Sequence, residues 1–554
     1  MSLPLLAATV LAVLVLGYRF YGRLVAQQFA LAGTEDTPAH RHNDGVDFVP
    51  TKPFYLFGQH FSAIAAAGPI VGPILACQQF GWLPAILWIT IGVVFIGAVH
   101  DFVTLVASVR HDARSIAEVV KHALGQKAWL AILTFIWLAL VYVIVAFVDV
   151  TASTFVTGDA DAAGLTFRFN QGGAVALSST LYLGLAVVMG LVQRYSPKAP
   201  LWLISLIFVP ATFAVVWLGT QYSTVLILSW RTWVILILGY CFIASMVPMW
   251  ILLQPRGYLG GFILYAALAV GTLGIFFGGF EIAQPAFKGF DVGGPTGLLF
   301  PFLFVTIACG ACSGFHGLVC SGTTSKQIDR ETHCHPIGYG AMLLEAFVAV
   351  IALATVMIVA PGKAMGPNAI YAGGLGAFLH SLFGVDPLVA TTFGAMALST
   401  FIFDTLDSAT RLGRYILQEL FGKSDRASGY AATAVTVGVP LAFLLAAQQG
   451  SYRLFWTLFG TSNQLLAALS LLAITVWLRR LGKPIWFTLA PMVLVFAVTL
   501  VSLVLQVQQV ASATVGSAAW LNGLVSLILL GLAMILVVYA ARAWKAGPSP
   551  ATAL

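Results

Sequence analysis

Apolar residues run in long windows from one end of the chain to the other, and polar residues collect in short stretches between them. Windows of about 20 apolar residues, each long enough to cross a hydrocarbon core of roughly 30 Å, recur throughout. They fall near 3–26, 58–79, 82–108, 128–155, 172–193, 200–218, 232–252, 259–280, 298–320, 337–361, 385–410, 428–449, 452–478, 484–507 and 518–540. The pattern predicts an all-α polytopic membrane protein of about 15 spans. A shorter apolar piece, Ala369 to Phe383, is interrupted by glycines and reads as re-entrant or interfacial. The first span has no basic n-region and no small-residue cleavage pattern after it, so a retained helix is expected there. The longest polar stretches, 27–57, 109–127 and 411–427, are too short to bury a core of their own.

Composition agrees. Of 554 residues, 60% are hydrophobic and 8% charged, against roughly 25% charged in a soluble domain. Soluble and disordered classes are excluded by those values. The 27 basic and 20 acidic residues leave +7, which in such a chain orients helices and does not imply nucleic acid as a partner. All Lys and Arg except Arg168, Arg231, Lys288, Lys363 and Arg453 fall in one alternating set of loops. The positive-inside rule then puts the N-terminus outside and the C-terminus in the cytoplasm. Six cysteines make no disulfide framework in a chain of this length.

Four segments break the rules for a lipid-facing helix. From Gly58 to Pro73 two Gly-Pro pairs, Gly68-Pro69 and Gly72-Pro73, follow a run of Ala65, Ala66 and Ala67. Missing donors and freed carbonyls at membrane depth survive inside protein or beside a wet cavity, so an unwound helix is expected, with a kink as the alternative. A second break is expected over Ala244 to Trp250, at Ser245 and Pro248, followed by Gln254-Pro255-Arg256-Gly257. It lies five spans after the first, so the two would enter the membrane from opposite sides. That is the layout of a LeuT-type inverted 5+5 repeat with extra helices at both ends. The expected organisation is 1–57 (extra helix and cytoplasmic loop), 58–218 (first repeat), 219–427 (inverted second repeat) and 428–554 (C-terminal extra helices).

The third segment, Ala308-Cys309-Gly310-Ala311-Cys312-Ser313-Gly314-Phe315-His316, continues to Ser321-Gly322-Thr323-Thr324. His316 is an intramembrane ionisable group and a functional candidate by default. Cys309, Cys312 and His316 make a weak metal or redox candidate, lacking the second ligand pair of a closed zinc site. The fourth, Phe403 to Ser408, runs into Arg411 and Arg414; Asp407 and Arg411 are four apart, as are Thr400 and Asp404, which suits a salt-bridged inner gate of Asp404, Asp407 and Arg411. Asp101 beside His100, and Asp149 followed by Thr151 and Ser153, are further buried-acid candidates.

These stretches resemble the carbon starvation protein A family of bacterial inner-membrane proteins. The resemblance lies in Gly58-Gln59-His60-Phe61-Ser62-Ala63-Ile64-Ala65 with Gly68 to Pro73, Val99-His100-Asp101-Phe102, Pro248-Met249-Trp250 with Pro255-Arg256, and Ser313 to His316 with Ser321 to Thr324. It implies kinship with the amino acid–polyamine–organocation transporters and uptake of peptides or pyruvate during nutrient limitation. The expected function is therefore ion-coupled import of a small carboxylate-bearing carbon source, not an enzymatic reaction. Facilitative conduction and a metal- or haem-associated redox role are the alternatives. The substrate carboxylate is expected at backbone N–H groups of the half-helix ends, with His60, Ala65, Gly68, Pro69, Gly72, Ser245, Pro248 and His316 around it. Coupling to a proton or sodium is expected at Asp101, Asp149, Thr306, Ser313 and His316. Arg256 is assigned to a cytoplasmic loop, which leaves no arginine near mid-membrane. No cofactor is expected, and the partners are the substrate and the lipid bilayer.

Overall fold

The structure, a computed structural model, describes residues 2–44, 48–65, 67–156, 158, 169–196, 199–362, 365–423 and 425–545. Arg168, Lys198 and Lys363, and the side chain of Arg453, lie outside the described residues. In chain order the principal helices begin with α1 (Leu3–Gln27), α2 (Pro53–Ile64), α3 (Gly68–Phe80), α4 (Trp82–Arg110), α5 (Gln126–Phe155) and α6 (Gln171–Tyr195). Next come α7 (Leu201–Gln221), α8 (Trp230–Met246), α9 (Leu253–Phe277), α10 (Leu299–Thr306), α11 (Gly314–Gly322) and α12 (Glu331–Met357). The last are α13 (Pro367–Phe383), α14 (Pro387–Leu420), α15 (Arg426–Ala446), α16 (Leu454–Arg480), α17 (Trp486–Ser512) and α18 (Ala518–Lys545).

Twelve of these are long and apolar enough to cross a membrane. The other three expected spans take different forms. Region 58–79 is the pair α2 and α3, bent by 46°. Region 298–320 is α10 and α11 with a non-helical stretch between them. Region 232–252 is the 17-residue α8, which ends at Met246. The chain is thus a multi-pass membrane protein, all-helical among the described residues apart from two isolated bridges.

Residues 1–4, 140–284 and 351–455 form one compact unit, and residues 5–139, 285–350 and 456–554 another. In the first, α14 packs along α13, α15, α8 and α9. Small residues allow this: a Cβ on Gly394 would stand 2.8 Å from the Ala372 carbonyl, and one on Gly376 2.9 Å from the Thr391 hydroxyl. The glycines of 369–383 do not break that segment as expected. They let a regular helix approach its neighbours closely, and the tertiary contact outweighs their poor helix propensity.

In the second unit α11 packs on α4 and α2, and α10 on α3 and α17. The most apolar window of α16 is 100% buried, whereas those of α1 and α7 are 28% buried and leave Phe20, Trp202, Leu206 and Trp217 on the outside. A helix enclosed on every side needs internal partners for each polar group, and α16 carries several.

Candidate functional site

The two breaks of the second unit set the geometry. At the first, Ala65 leaves the helical region (φ −74°, ψ 56°), and α3 restarts at Gly68 with Pro69 in its first turn and Pro73 inside it. Neither proline has an N–H to give, and the N-cap Ala67 offers no side-chain cap. The second break runs from Ile307 (φ −100°, ψ 66°) to Ser313 (φ −127°, ψ 123°).

Carbonyls freed at the second break are met by side chains. Gln464 Nε2 donates to Phe304 O at 2.9 Å, Trp456 Nε1 to Thr306 O at 3.1 Å, and Trp88 Nε1 to Ile307 O at 3.1 Å. Asn463 bridges the gap: its Oδ1 accepts from Phe315 N at 2.8 Å, and its Nδ2 donates to Ser313 Oγ at 3.0 Å and Cys309 Sγ at 3.3 Å. Ser313, expected as a cation ligand, thus already holds a protein partner through its hydroxyl, and the carbonyl of Thr306 holds one as well. The breaks meet at glycines. A Cβ on Gly68 would run into the side chain of Cys309, and one on Gly72 into the carbonyl oxygen of Thr306.

Beside the breaks lies a chain of titratable groups, all at most 1% exposed. Asp101 Oδ1 faces His100 Nδ1 at 2.7 Å, and its Oδ2 faces His316 Nδ1 at 2.9 Å. His316 Nε2 lies 3.3 Å from Glu345 Oε2. Neither Glu345 oxygen has a well-formed hydrogen bond, and His100 Nε2 and His60 Nε2 are likewise buried without one. His60 Nδ1 pairs with Thr324 Oγ1 at 2.9 Å. A neutral imidazole carries one N–H, so it can bridge only one of two carboxylates. Completing both contacts of His316 takes one more proton, on the ring or on a carboxyl. The site can take up or release that proton within fixed geometry.

The first unit holds a separate cluster. Arg256, fully buried, pairs through Nη1 with Asp407 at 2.7 Å and through Nη2 with Asp404. Tyr240 OH donates to Asp407 Oδ2 at 2.9 Å and accepts from Arg256 at 2.8 Å. Asp149 accepts from Trp230 Nε1 at 2.9 Å and Ser153 Oγ at 3.3 Å.

Three expectations are corrected here. Arg256 is no loop residue: it sits in the first turn of α9, buried by the two aspartates. Arg411 does not pair with Asp407 but donates to the carbonyls of Ala244 (2.7 Å) and Val247 (3.0 Å), while Arg414 donates to that of Ser245 (2.6 Å). The reason is the third correction. Ser245 and Pro248 flank the C-terminus of α8, whose exposed carbonyls attract cations, so no N–H groups are presented to a carboxylate there. As for metal, His316 has carboxylates on both nitrogens and Cys309 accepts from Asn463; among the described residues no group of three or more His, Cys, Asp or Glu is arranged to hold an ion.

The family described as "Carbon starvation protein CstA" matches residues 2–370 and 360–502. The chain belongs to the CstA family. Its curated relatives include "Peptide transporter CstA" of Campylobacter jejuni, 33% identical over 89% of this chain and 79% of that one. "Peptide transporter CstA" of Bacillus subtilis is 32% identical over 96% of both chains, and "Pyruvate/proton symporter BtsT" of Escherichia coli 32% identical over 87% and 78%. The family's members are transporters, and this chain is a transporter and not an enzyme. Among solved structures, an Eremococcus coleocola manganese transporter aligns at 13% identity and TM-score 0.49 over 89% of this chain and 97% of its own. The assignment to the CstA family rests on the sequence relatives alone. His60, His100, Asp101, Ser313, His316 and Thr324, all within the residues that the family matches, lie together in the second unit of this CstA chain.

Sequence reasoning missed Glu345, Asn463 and the pairing of Arg256. Glu345 had a signal, as a lone carboxylate inside an apolar window. The bond from Asn463 to a backbone N–H 148 positions away had none.

Proposed function

We propose that this chain is a proton-coupled importer of a small carboxylate-bearing carbon source, a peptide or pyruvate, in the inner membrane of a bacterium. It works by alternating access on a LeuT-type inverted repeat, with the N-terminus outside and the C-terminus in the cytoplasm. The observation that carries the reading is His316 held between Asp101 and Glu345 beside two broken helices. Proton is favoured over sodium because the buried groups there are an imidazole and carboxylates, while the Thr306 carbonyl and Ser313 hydroxyl are already engaged. The names of the relatives from Campylobacter jejuni and Escherichia coli support peptide or pyruvate as cargo and a proton as the coupling ion.

The substrate carboxylate sits at the start of α3, where Ala65, Gly68, Pro69 and Gly72 leave an N-terminus without a side-chain cap and His60 has a free ring nitrogen. Asp404 and Asp407 act as a gate with Arg256, in place of Arg411, as their basic partner. Of the two helices expected to open the repeats, α2–α3 is broken and α8 is intact, and the second broken helix, α10–α11, lies seven spans after the first. Uptake into proteoliposomes tests this. An imposed pH gradient, inside alkaline, should drive accumulation of pyruvate or a dipeptide, and a sodium gradient should not. Sodium-driven accumulation overturns proton coupling, and equilibration without accumulation points to a facilitative channel.

A further inference from the structure

The cluster around Arg256 has one acid too many. It contains one guanidinium and two carboxyl groups, enclosed by Tyr182 on α6, Tyr240 and Cys241 on α8, and α14 itself. With both aspartates ionised, one negative charge is left unbalanced in a low-dielectric interior, which is costly. Arg411 and Arg414, the next basic groups along α14, hydrogen-bond the carbonyls at the end of α8 and not the two aspartates, though the charge of Arg411 still acts on Asp407.

The two carboxyl groups are not equivalent. Asp404 Oδ1 accepts from Arg256 Nη2, and its side chain is 24% exposed. Asp407 is 1% exposed. Its Oδ2 accepts from Tyr240 OH at 2.9 Å and lies 2.7 Å from Arg256 Nη1, whose hydrogen bond goes to Tyr240 OH, while Oδ1 takes no donor. Arg256 Nε, equally buried, also has no acceptor, so the network is incomplete on both sides of the pair. An ionised carboxylate with one oxygen fully served and the other orphaned is a poor arrangement. Protonation removes the charge from the orphaned oxygen, and a neutral carboxyl costs far less to bury than a charged one.

We propose that Asp407 is a proton-binding site in its own right, separate from the Asp101–His316–Glu345 group: Oδ1 carries the proton, the Arg256–Asp404 pair remains ionic, and the exposed edge of Asp404 is where the proton enters and leaves. The step is a single protonation. One O–H bond forms on Asp407, the proton comes from water and returns to water, and the cluster alternates between neutral and −1. Such a site gives the transporter a second proton-dependent element, and the proposal holds whatever the cargo is.

The test is infrared difference spectroscopy of the purified full-length protein in lipid bilayers, between acidic and alkaline buffer. The wild type should show a carboxylic-acid C=O band that appears on acidification. Asp407→Asn should remove that band, and Glu345→Gln should leave it in place. Tyr240→Phe keeps the ring packing and deletes the hydroxyl that donates to Oδ2, so the band should move to higher frequency. An Asp407→Asn spectrum that superimposes on the wild type overturns the proposal. Should that variant not fold, an unmoved band in Tyr240→Phe overturns it instead. Both outcomes are read without any transport measurement, so they stand apart from success or failure of proton-driven uptake.

Discussion

A methyl group added at Gly72 would collide with the carbonyl oxygen of Thr306 and stand 3.4 Å from Ile307 Cα. That obstacle is backbone and is held from the other side by Trp456 Nε1 at 3.1 Å, so no rotamer change clears it. At Gly68 the obstacle is a side chain, Cys309, whose Cβ would be 2.6 Å from the new methyl. Overpacking of this kind costs about 1–3 kcal/mol. Gly72→Ala belongs at the upper end, since any shift of Thr306 also strains a buried hydrogen bond of about 1 kcal/mol. The two sites differ in what rescues them. Cys309→Gly should recover most of the loss in Gly68→Ala and none of it in Gly72→Ala, a coupling that a double-mutant cycle measures directly. Gly184→Ala in α6, with nothing within 4 Å of its added Cβ, is the control and should be neutral or slightly stabilising. Thermal unfolding of the purified variants and uptake at matched expression read the effect. Gly72→Ala melting alongside Gly184→Ala with wild-type uptake, or rescued by Cys309→Gly as fully as Gly68→Ala is, would refute the close crossing of the two broken helices.

Glu345→Gln keeps the shape of the side chain and removes the ionisable carboxyl facing His316 Nε2; proteoliposomes should lose gradient-driven accumulation while counterflow exchange persists, and unchanged accumulation would take this pair out of the coupling step. Asn463→Ala strands the Phe315 N–H and the Ser313 hydroxyl, at about 1–3 kcal/mol for each group left unsatisfied. Asn463→Asp keeps the acceptor and should recover part of the lost melting temperature; equal loss in both variants would mean the Phe315 bond contributes little. Cysteine-accessibility labelling should find 411–427 cytoplasmic and 281–295 on the opposite face, and labelling of both from one side would sink the proposed orientation together with the inverted repeat.

The positions of the spans were legible because a helix in hydrocarbon must be apolar along its whole length, and hydropathy reads that directly. The first break was legible too, since Gly68-Pro69 and Gly72-Pro73 remove donors wherever they stand. The second was harder. No proline lies between Ile307 and Ser313; the helix is interrupted by a small-residue run whose carbonyls are met by Gln464, Trp456 and Trp88, partners far away in sequence. Pro248 gave a false signal of the same kind. It follows the last turn of α8, where a missing N–H interrupts nothing. Arg256 was misplaced for a related reason: a basic residue one turn into a helix reads as a loop charge, and only its two acidic partners on α14 bury it.

What separates the buried acids is the kind of donor each one faces. Asp149 accepts from an indole and a hydroxyl, groups that keep their protons at any pH the cell meets, so those bonds hold the side chain in place and neither donor exchanges a proton with it. Asp101 faces two imidazoles, one of which reaches a second carboxylate, so a proton can be redistributed along the row without any group leaving its partner. Asp407 faces a guanidinium, which never gives up its charge, and a phenol. There the only group free to change is the carboxyl itself.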